Sequence, residues 1–176
     1  MILNKQMAVQ LAIMVETGLV CYKHYYKWCD HLIMELTEVP EWIIELSVTK
    51  YSPDAVSIIR KYAYCEPFES FNQICLGDFG TACYYLRYQR QELSWASFLL
   101  ECGQLVDGWD SFGCKEPCEY FFTMLNQLEN QMYDKQLEKE QQEEFLAGYV
   151  DEVRQADELY RQFLPYFNCY IKEQCE

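Results

Sequence analysis

Residues 52–63 indicate most directly how this chain folds, because they open with Ser52-Pro53-Asp54 and continue with a helical apolar stripe. Ser52 offers a capping hydroxyl, Pro53 has a backbone angle suited to the first helical turn, and Asp54 places an acid near the positive end of the helix dipole. The apolar residues that follow recur at the spacing of one helix face: Val56, Ile59, Tyr62 and Ala63. This stretch predicts a helix that begins at Ser52 and ends before Pro67.

Most other segments repeat this helical spacing, and strict alternation over the length of a strand is almost absent from the sequence. Asn4 is expected to cap a first helix that ends near Gly18, and a second helix is expected over residues 19–36. Apolar residues surround most of the first helix, which predicts a central position for it. Later helices are expected to begin where the sequence has helix-starting chemistry: Pro40, Asp78, Ser94 and the pair Glu116-Pro117.

The last third of the chain is less regular. Residues 133–144 are mostly Gln, Glu and Lys, which predicts either a solvated helix or an extended connection. A last helix is expected from Phe145 onward, with a kink at Pro165. The sequence therefore predicts an all-α fold of seven or eight helices, arranged as a bundle or as a short stack of antiparallel helix pairs. A single domain over residues 1–176 is expected.

The charge balance is strongly acidic, with 28 acids against 14 bases and a formal charge of −14. The surplus is uneven, because residues 77–176 hold 19 acids against 8 bases. Nucleic acids and anionic membranes bind concentrated Lys and Arg, so this composition argues against both as partners. An acidic surface either serves solubility alone or favours a partner with a basic surface.

Ten cysteines would suggest a disulfide scaffold in a small secreted protein. Here Cys21, Cys29, Cys83 and Cys102 fall on or beside apolar helical stripes, where a thiol packs as a small apolar group. The apolar run at residues 7–15 is interrupted by Gln10 and lacks the features of a secretion signal. A cytoplasmic protein with reduced thiols is therefore expected.

Metal ligation has little support in the sequence. The two histidines, His24 and His31, lie two helical turns apart, about 10 Å along the axis, so a straight helix cannot bring both to one ion. Cys114 and Cys118 have ligand-like spacing, but no matching second pair accompanies them. No metal and no cofactor are expected, and the thiols are interpreted as structural.

The segment Asp107-Gly108-Trp109-Asp110 combines carboxylates with an aromatic ring between glycines, where burial of the ring is less assured. Carboxylate pairs such as Asp107/Asp110 and Glu116/Glu119 are able to do acid–base chemistry, but nothing in the sequence creates the desolvated setting that separates their pKa values. Capping of the following helix is a competing role for Asp110 and Glu116. Aromatic anchors inside a polar rim are typical of binding surfaces. The predicted partner-binding residues are Asp107, Trp109, Asp110, Glu116 and Glu119.

Residues 40–47, Pro40-Glu41-Trp42-Ile43-Ile44-Glu45-Leu46-Ser47, follow a helical segment that contains Trp28-Cys29-Asp30. Together they resemble segments of small bacterial all-helical families, several of which are similar to immunity proteins found beside polymorphic toxins. The resemblance implies a cytoplasmic acidic protein that occupies the active cleft of a partner toxin, often a basic nuclease. It implies no catalytic residues.

These observations favour a non-enzymatic acidic binding protein, most simply an immunity-type inhibitor that occludes a basic partner such as a nuclease toxin. One alternative is a helical structural or adaptor subunit that binds a partner helix in an apolar groove, with its charge serving solubility. A further alternative is an enzyme that uses a carboxylate cluster with Mg²⁺ or Mn²⁺, although the acids show no recurring ligand motif.

Overall fold

The computed structural model describes residues 3–69, 71, 75–108 and 114–174, and these ranges are helical without a β-strand. The predicted all-α class is confirmed, whereas the predicted number of seven or eight helices is wrong. The described ranges contain nine helices: α1 (Lys5–Glu16), α2 (Tyr22–Glu35), α3 (Glu41–Val48), α4 (Ser52–Ala63), α5 (Leu76–Gln89), α6 (Trp95–Gly108), α7 (Cys118–Asn130), α8 (Lys135–Arg161) and α9 (Leu164–Gln174).

The helix count differs at the end of the chain. The polar residues 133–144 do not form a connection, because most of them belong to α8, which runs without interruption for 27 residues. The chain then turns at Gln162 and Phe163, so the predicted last helix is divided between α8 and α9. Pro165 is the second residue of α9, where a proline loses no helical hydrogen bond. The predicted kink is therefore a helix boundary.

Two of the predicted helix caps are confirmed by side-chain hydrogen bonds. The side-chain oxygen Oδ1 of Asn4 accepts a 2.8 Å bond from the Met7 backbone N–H at the start of α1. The Ser94 hydroxyl accepts a 3.1 Å bond from the Ser97 backbone N–H before α6. Each bond satisfies one of the backbone donors that the first helical turn leaves without a partner.

The predicted start of α4 at Ser52 is confirmed, but the predicted capping roles of Ser52 and Asp78 are wrong. Ser52 is itself the first residue of α4, and the preceding Tyr51 occupies the cap position without a side-chain cap bond. Asp78 is the third residue of α5 and does not cap it, because the helix starts earlier, after Cys75. Its carboxylate instead accepts a hydrogen bond from the backbone N–H of Lys115. No local sequence pattern predicts this contact.

The chain divides into two compact units. Unit 1 comprises Met1–Asn72 and Glu158–Glu176, and unit 2 comprises Gln73–Asp157. The expectation of a single domain stays a prediction. No helix in the described part of the chain has both the length and the apolar character needed to cross a bilayer.

Unit 1 is built around α1, which is buried along most of its length, as its encircling apolar residues predicted. Helix α1 packs against α4, and α2 packs against α3 and α9. The Trp28 ring lies against the rings of Trp42 and Phe163 in this core. The buried ammonium group of Lys5 donates to the carbonyl oxygens of Cys65 (2.6 Å) and Pro67 (2.5 Å), which offsets much of the cost of desolvating it.

Unit 2 has an aromatic core in which α6 packs between α5 and α7. The Trp95 ring stacks on Phe98 at 4.6 Å, and Phe145 of α8 packs edge-on against both. The Trp95 indole N–H donates a 2.9 Å bond to the buried amide oxygen of Gln141, whose own NH₂ donates to the Met124 carbonyl. This polar chain anchors the glutamine-rich start of α8 in the core.

Candidate functional site

Two predicted acids meet where the end of α6 lies beside the start of α7. Asp107 is exposed in the last turn of α6, and Glu119 is exposed in the first turn of α7. The thiol of Cys118 lies between them and contacts Glu119 Oε2 at 3.4 Å and Asp107 Oδ1 at 3.8 Å. Partial desolvation, then the charge of Glu119 and that of Asp107, raise the pKa of this thiol. Cys118 is therefore a donor to the carboxylates, and its acidic surroundings disfavour the nucleophilic thiolate.

Two more acids of unit 2 act on the hydroxyl of Tyr120. The half-buried ring of Tyr120 lies in α7, and the two acids that act on its hydroxyl are Glu144 of α8 and Glu116. Burial, followed by the charges of Glu144 and Glu116, raises the pKa of the Tyr120 hydroxyl. We call two groups of residues in unit 2 the acidic surface: Asp107 and Glu119 with Cys118, and Glu116 and Glu144 with Tyr120.

The bases of unit 2 do not neutralise the acidic surface. The unit holds 16 acids against 6 bases, and each base forms an ion pair elsewhere. These pairs are Arg87–Glu92, Arg90–Glu92, Lys115–Glu152, Lys135–Glu138, Lys139–Glu143 and Arg154–Asp151. Among the described residues, no cation lies within ion-pair distance of the four carboxylates of the acidic surface. The negative charge of these carboxylates is therefore not compensated by an ion pair with a described residue.

The predicted partner-binding residues are placed as follows. Asp107 and Glu119 come together at Cys118, and Glu116 lies half-buried near Tyr120. The competing cap role of Glu116 is not seen, since Pro117 occupies the cap position of α7. Trp109 and Asp110 lie outside the described residues.

A second constellation lies at the start of α5. The Sγ atoms of Cys75 and Cys114 are 3.4 Å apart, and Asp78 Oδ lies within 4.8 Å of both. The Asp78 carboxylate is 3% exposed and accepts the Lys115 backbone N–H at 3.0 and 3.2 Å. Burial raises the pKa of Asp78, against the opposing effect of that N–H and of the Cys75 thiol. Burial and the Cys75 thiol likewise raise the pKa of Cys114 to about 12.

We call Cys75, Asp78 and Cys114 the thiol–carboxylate cluster. Gly77 and Tyr149 are two residues that bear on its surroundings. A Cβ atom at Gly77 would come within 2.5 Å of Cys114 Sγ, so glycine provides the space that the thiol occupies. The Tyr149 hydroxyl is buried and has no hydrogen-bond partner among the described groups. Its pKa is raised by burial first and then by charges that include Asp78 and Cys114.

The histidines have separate surroundings. His24 is buried and stacks on Phe167 at 4.4 Å, and its Nδ1 accepts the Cys21 backbone N–H at the start of α2. Its Nε2 therefore carries the proton and faces the Tyr160 hydroxyl at 3.4 Å. His31 is exposed, with its ring 5.7 Å from that of Tyr166. His24 acts as a buried capping residue of α2.

Unit 1 carries a cleft between α3 and α4. Its floor is the stacked pair Trp42 and Tyr62, whose ring centroids are 4.8 Å apart, and Ile58 adds an aliphatic wall. Glu41, Glu45 and Lys61 stand at the edges. Trp42 is 5% exposed, so it belongs to the core, and its indole N–H has no partner among the described residues.

In comparisons with known proteins, no family model matches the chain, and no curated protein or solved structure is significantly similar to it. The resemblance to immunity-type families therefore stays a prediction.

Sequence reasoning missed three participants of these sites. Tyr120 and Glu144 lie in different helices, and only the packing of unit 2 brings them together. Cys75 and Cys114 are 39 residues apart, whereas the sequence drew attention to the nearby pair Cys114 and Cys118. The one local signal for the cluster was Gly77 beside Cys75 at a helix start, where a missing side chain permits close approach.

Proposed function

We propose that this protein is a non-enzymatic binding protein whose acidic surface covers a basic surface of a partner protein, as an immunity-type inhibitor covers a nuclease toxin. The observation that carries the proposal is the approach of Asp107 and Glu119 at Cys118, in a unit in which every base pairs with another acid. Such a surface attracts cations over a distance, and no described base of unit 2 forms an ion pair with its carboxylates.

The mechanism is surface occlusion. The carboxylates imitate the phosphates that a basic nuclease cleft binds, and the ring of Tyr120 supplies apolar contact between them. Trp109 remains the predicted second aromatic anchor. Long-range attraction speeds the encounter, and salt weakens it, because exposed charges are screened beyond about 8–10 Å at physiological ionic strength. The raised pKa of Cys118 fits this role, since a protonated thiol adds no reactive nucleophile to the surface.

The test uses the product of the neighbouring gene as the partner, with association and dissociation rates measured at low and high salt. The charge-reversed double variant Asp107→Lys/Glu119→Lys is expected to associate at least about tenfold more slowly at low salt than the unchanged protein. The difference should shrink at high salt. If the product is a nuclease, its inhibition should follow the same order.

The matched control is Glu35→Lys/Glu38→Lys, which makes the same change in net charge at two exposed residues of unit 1. If the acidic surface binds the partner, the control associates nearly as fast as the unchanged protein. Equal slowing by both variants would attribute the effect to net charge and would reject the surface. Unchanged rates in both would reject electrostatic binding altogether.

The second candidate is an adaptor that holds a partner helix, and the observation in its favour is the aromatic cleft of Trp42 and Tyr62. Binding there would depend on apolar contact and would be nearly insensitive to salt. Tyr62→Ala should then weaken partner binding about tenfold, while Asp107→Lys/Glu119→Lys should leave it unchanged.

A further inference from the structure

We propose that Cys75, Asp78 and Cys114 form a binding site for one thiophilic divalent cation, Zn²⁺ above all. The site is distinct from the acidic surface and its test is independent of any partner. Three ligand atoms from two separate parts of the chain converge here, and each has the chemistry of a zinc ligand.

The distances suit a tetrahedral ion. Two thiolates bound at the usual Zn–S length of about 2.3 Å lie about 3.8 Å apart across a tetrahedron. The Sγ atoms of Cys75 and Cys114 are already 3.4 Å apart, so a small outward movement of the thiols would admit the metal. A disulfide would instead require the two sulfurs to approach to about 2.05 Å.

The donor set selects the metal. Two thiolates favour soft or borderline ions, while the carboxylate of Asp78 adds a harder oxygen ligand, a combination that suits Zn²⁺ better than Mg²⁺ or Ca²⁺. Three charged ligands and a divalent ion carry a net charge of −1. The site lies in the first turn of α5, where the helix dipole favours negative charge.

The surroundings are built for this cluster. Gly77 leaves the space that Cys114 Sγ occupies, and the Lys115 N–H holds the carboxylate of Asp78 in place, leaving oxygen lone pairs for a metal. Orientation of a ligand by such a bond is usual in metal sites. Three protein ligands leave a fourth position for water.

Binding would tie the start of α5 to the residues just before α7. Cys114 lies two residues before Glu116, and Lys115 bridges to Glu152 and to the Gly148 carbonyl of α8. The ion would therefore fix the base of the segment that leads into α7.

The experiment titrates Co²⁺, as a coloured substitute for Zn²⁺, into the reduced and chelator-treated full chain without oxygen. One equivalent should produce a thiolate-to-cobalt charge-transfer band and the visible bands of tetrahedral Co²⁺, and Zn²⁺ should abolish both. Cys75→Ser and Cys114→Ser should lose the charge-transfer intensity. Asp78→Asn should keep the thiolate band but bind more than about tenfold more weakly, as loss of a ligand is at least as costly as loss of its support.

Cys118→Ser and Cys65→Ser are the matched controls, since each removes a thiol outside the cluster. Both should retain the band. A readout without substitution is alkylation of the unchanged protein followed by mass spectrometry, in which Zn²⁺ should protect Cys75 and Cys114 and leave Cys65 reactive. Absence of the band, its loss in Cys118→Ser, or a Cys75–Cys114 disulfide with no uptake of metal by the reduced protein would overturn the proposal.

Discussion

Unit 1 holds 12 acids and 8 bases, whereas unit 2 holds 16 acids and only 6 bases. Among the described residues of unit 1, one charged group is buried, the ammonium of Lys5, and it donates to two carbonyl oxygens. Unit 2 buries the carboxylate of Asp78, whose pKa is raised because its hydrogen bonds do not offset desolvation. It also leaves four exposed or half-buried carboxylates around Cys118 and Tyr120.

The two units thus treat charge differently. In unit 1 the buried charge serves the fold, because it links α1 to the chain that follows α4. In unit 2 the buried carboxylate of Asp78 opposes the fold through its desolvation, and the acids of the unit outnumber its bases. Groups that cost stability without a structural return are expected at functional sites. This contrast is the physical reason for placing both proposed sites in unit 2.

The largest effect is expected from the tryptophan at the centre of unit 2. Trp95→Ala removes the ring that stacks on Phe98 and the donor to Gln141, and it should lower the free energy of unfolding by about 3–5 kcal/mol. Trp95→Phe keeps most of the packing and loses the hydrogen bond, so about 1–3 kcal/mol is expected. Urea unfolding measures both.

The matching change in unit 1 is Trp28→Ala, which removes a buried ring of the same size from the contacts with Trp42 and Phe163. A loss of similar size is expected there, since ring burial is common to the two cores. If Trp95→Phe were as damaging as Trp95→Ala, the hydrogen bond to Gln141 rather than ring packing would hold unit 2 together.

The environment of Gln141 shows why the sequence predicts the starts of some helices and not of others. Caps such as Asn4 and Ser94 are local signals, and they marked the starts of α1 and α6 correctly. The start of α8 has no apolar stripe, and it is anchored by a buried glutamine whose partners lie in α6 and α7. Local sequence cannot show such a partner, so the extent of α8 was missed.

The sites follow the same division. Composition indicated an acidic surplus in the later part of the chain, and the choice of Asp107 and Glu119 as partner-binding residues stays a prediction; both are exposed. Their meeting at Cys118 depends on how α6 packs against α7, and the approach of Cys75 to Cys114 depends on the packing of unit 2. Residue types were therefore predictable, whereas their partners were not.

The next prediction compares the buried charges of the two units. Lys5→Met leaves the Cys65 and Pro67 carbonyls without their donor and should cost about 1.5–3 kcal/mol. Asp78→Asn can still accept the Lys115 N–H and removes a desolvated charge, so in the presence of a chelator stability at pH 7 should be unchanged or higher. Urea unfolding of both variants at pH 7 measures the contrast.

The pH dependence gives a second test of Asp78. Because burial raises the pKa of Asp78 in the folded state, the folded protein binds this proton more tightly than the unfolded chain does. The free energy of unfolding therefore falls as pH rises from 3.8, the usual pKa, through the raised pKa of the folded state. Asp78→Asn should lack this decline. A decline of equal size in both proteins would show that Asp78 is not its source, and a large loss at pH 7 in Asp78→Asn would show that its carboxylate supports the fold.

Alanine substitutions at two helical glycines of unit 2 distinguish the cost of overpacking from the gain in helix propensity. A Cβ at Gly103 would lie 2.6 Å from the Phe122 ring, whereas a Cβ at Gly148 would meet nothing within 4 Å. Gly103→Ala should therefore cost about 1–3 kcal/mol through overpacking between α6 and α7. Gly148→Ala should stabilise α8 by about 0.5–1 kcal/mol. Thermal unfolding of the two variants gives the sign of each effect, and a gain in both would show that Phe122 yields freely.

The smallest effect concerns the surface charges. Neutralising two carboxylates with Asp107→Asn/Glu119→Gln keeps oxygen acceptors near Cys118 and relieves repulsion within the acidic surface. At low ionic strength this should raise the free energy of unfolding by about 0.2–0.5 kcal/mol, and the gain should vanish in high salt because exposed charges are then screened.

The control for this change is Glu35→Gln/Glu38→Gln, at exposed positions of unit 1, where acids and bases are closer to balance. No salt-sensitive gain is expected from it. If both variants gained equally, repulsion would be a property of the whole chain and the contrast between the units would fail. If only Asp107→Asn/Glu119→Gln gained, the protein would be shown to maintain a locally destabilising charge, which a partner-binding surface explains and solubility alone does not.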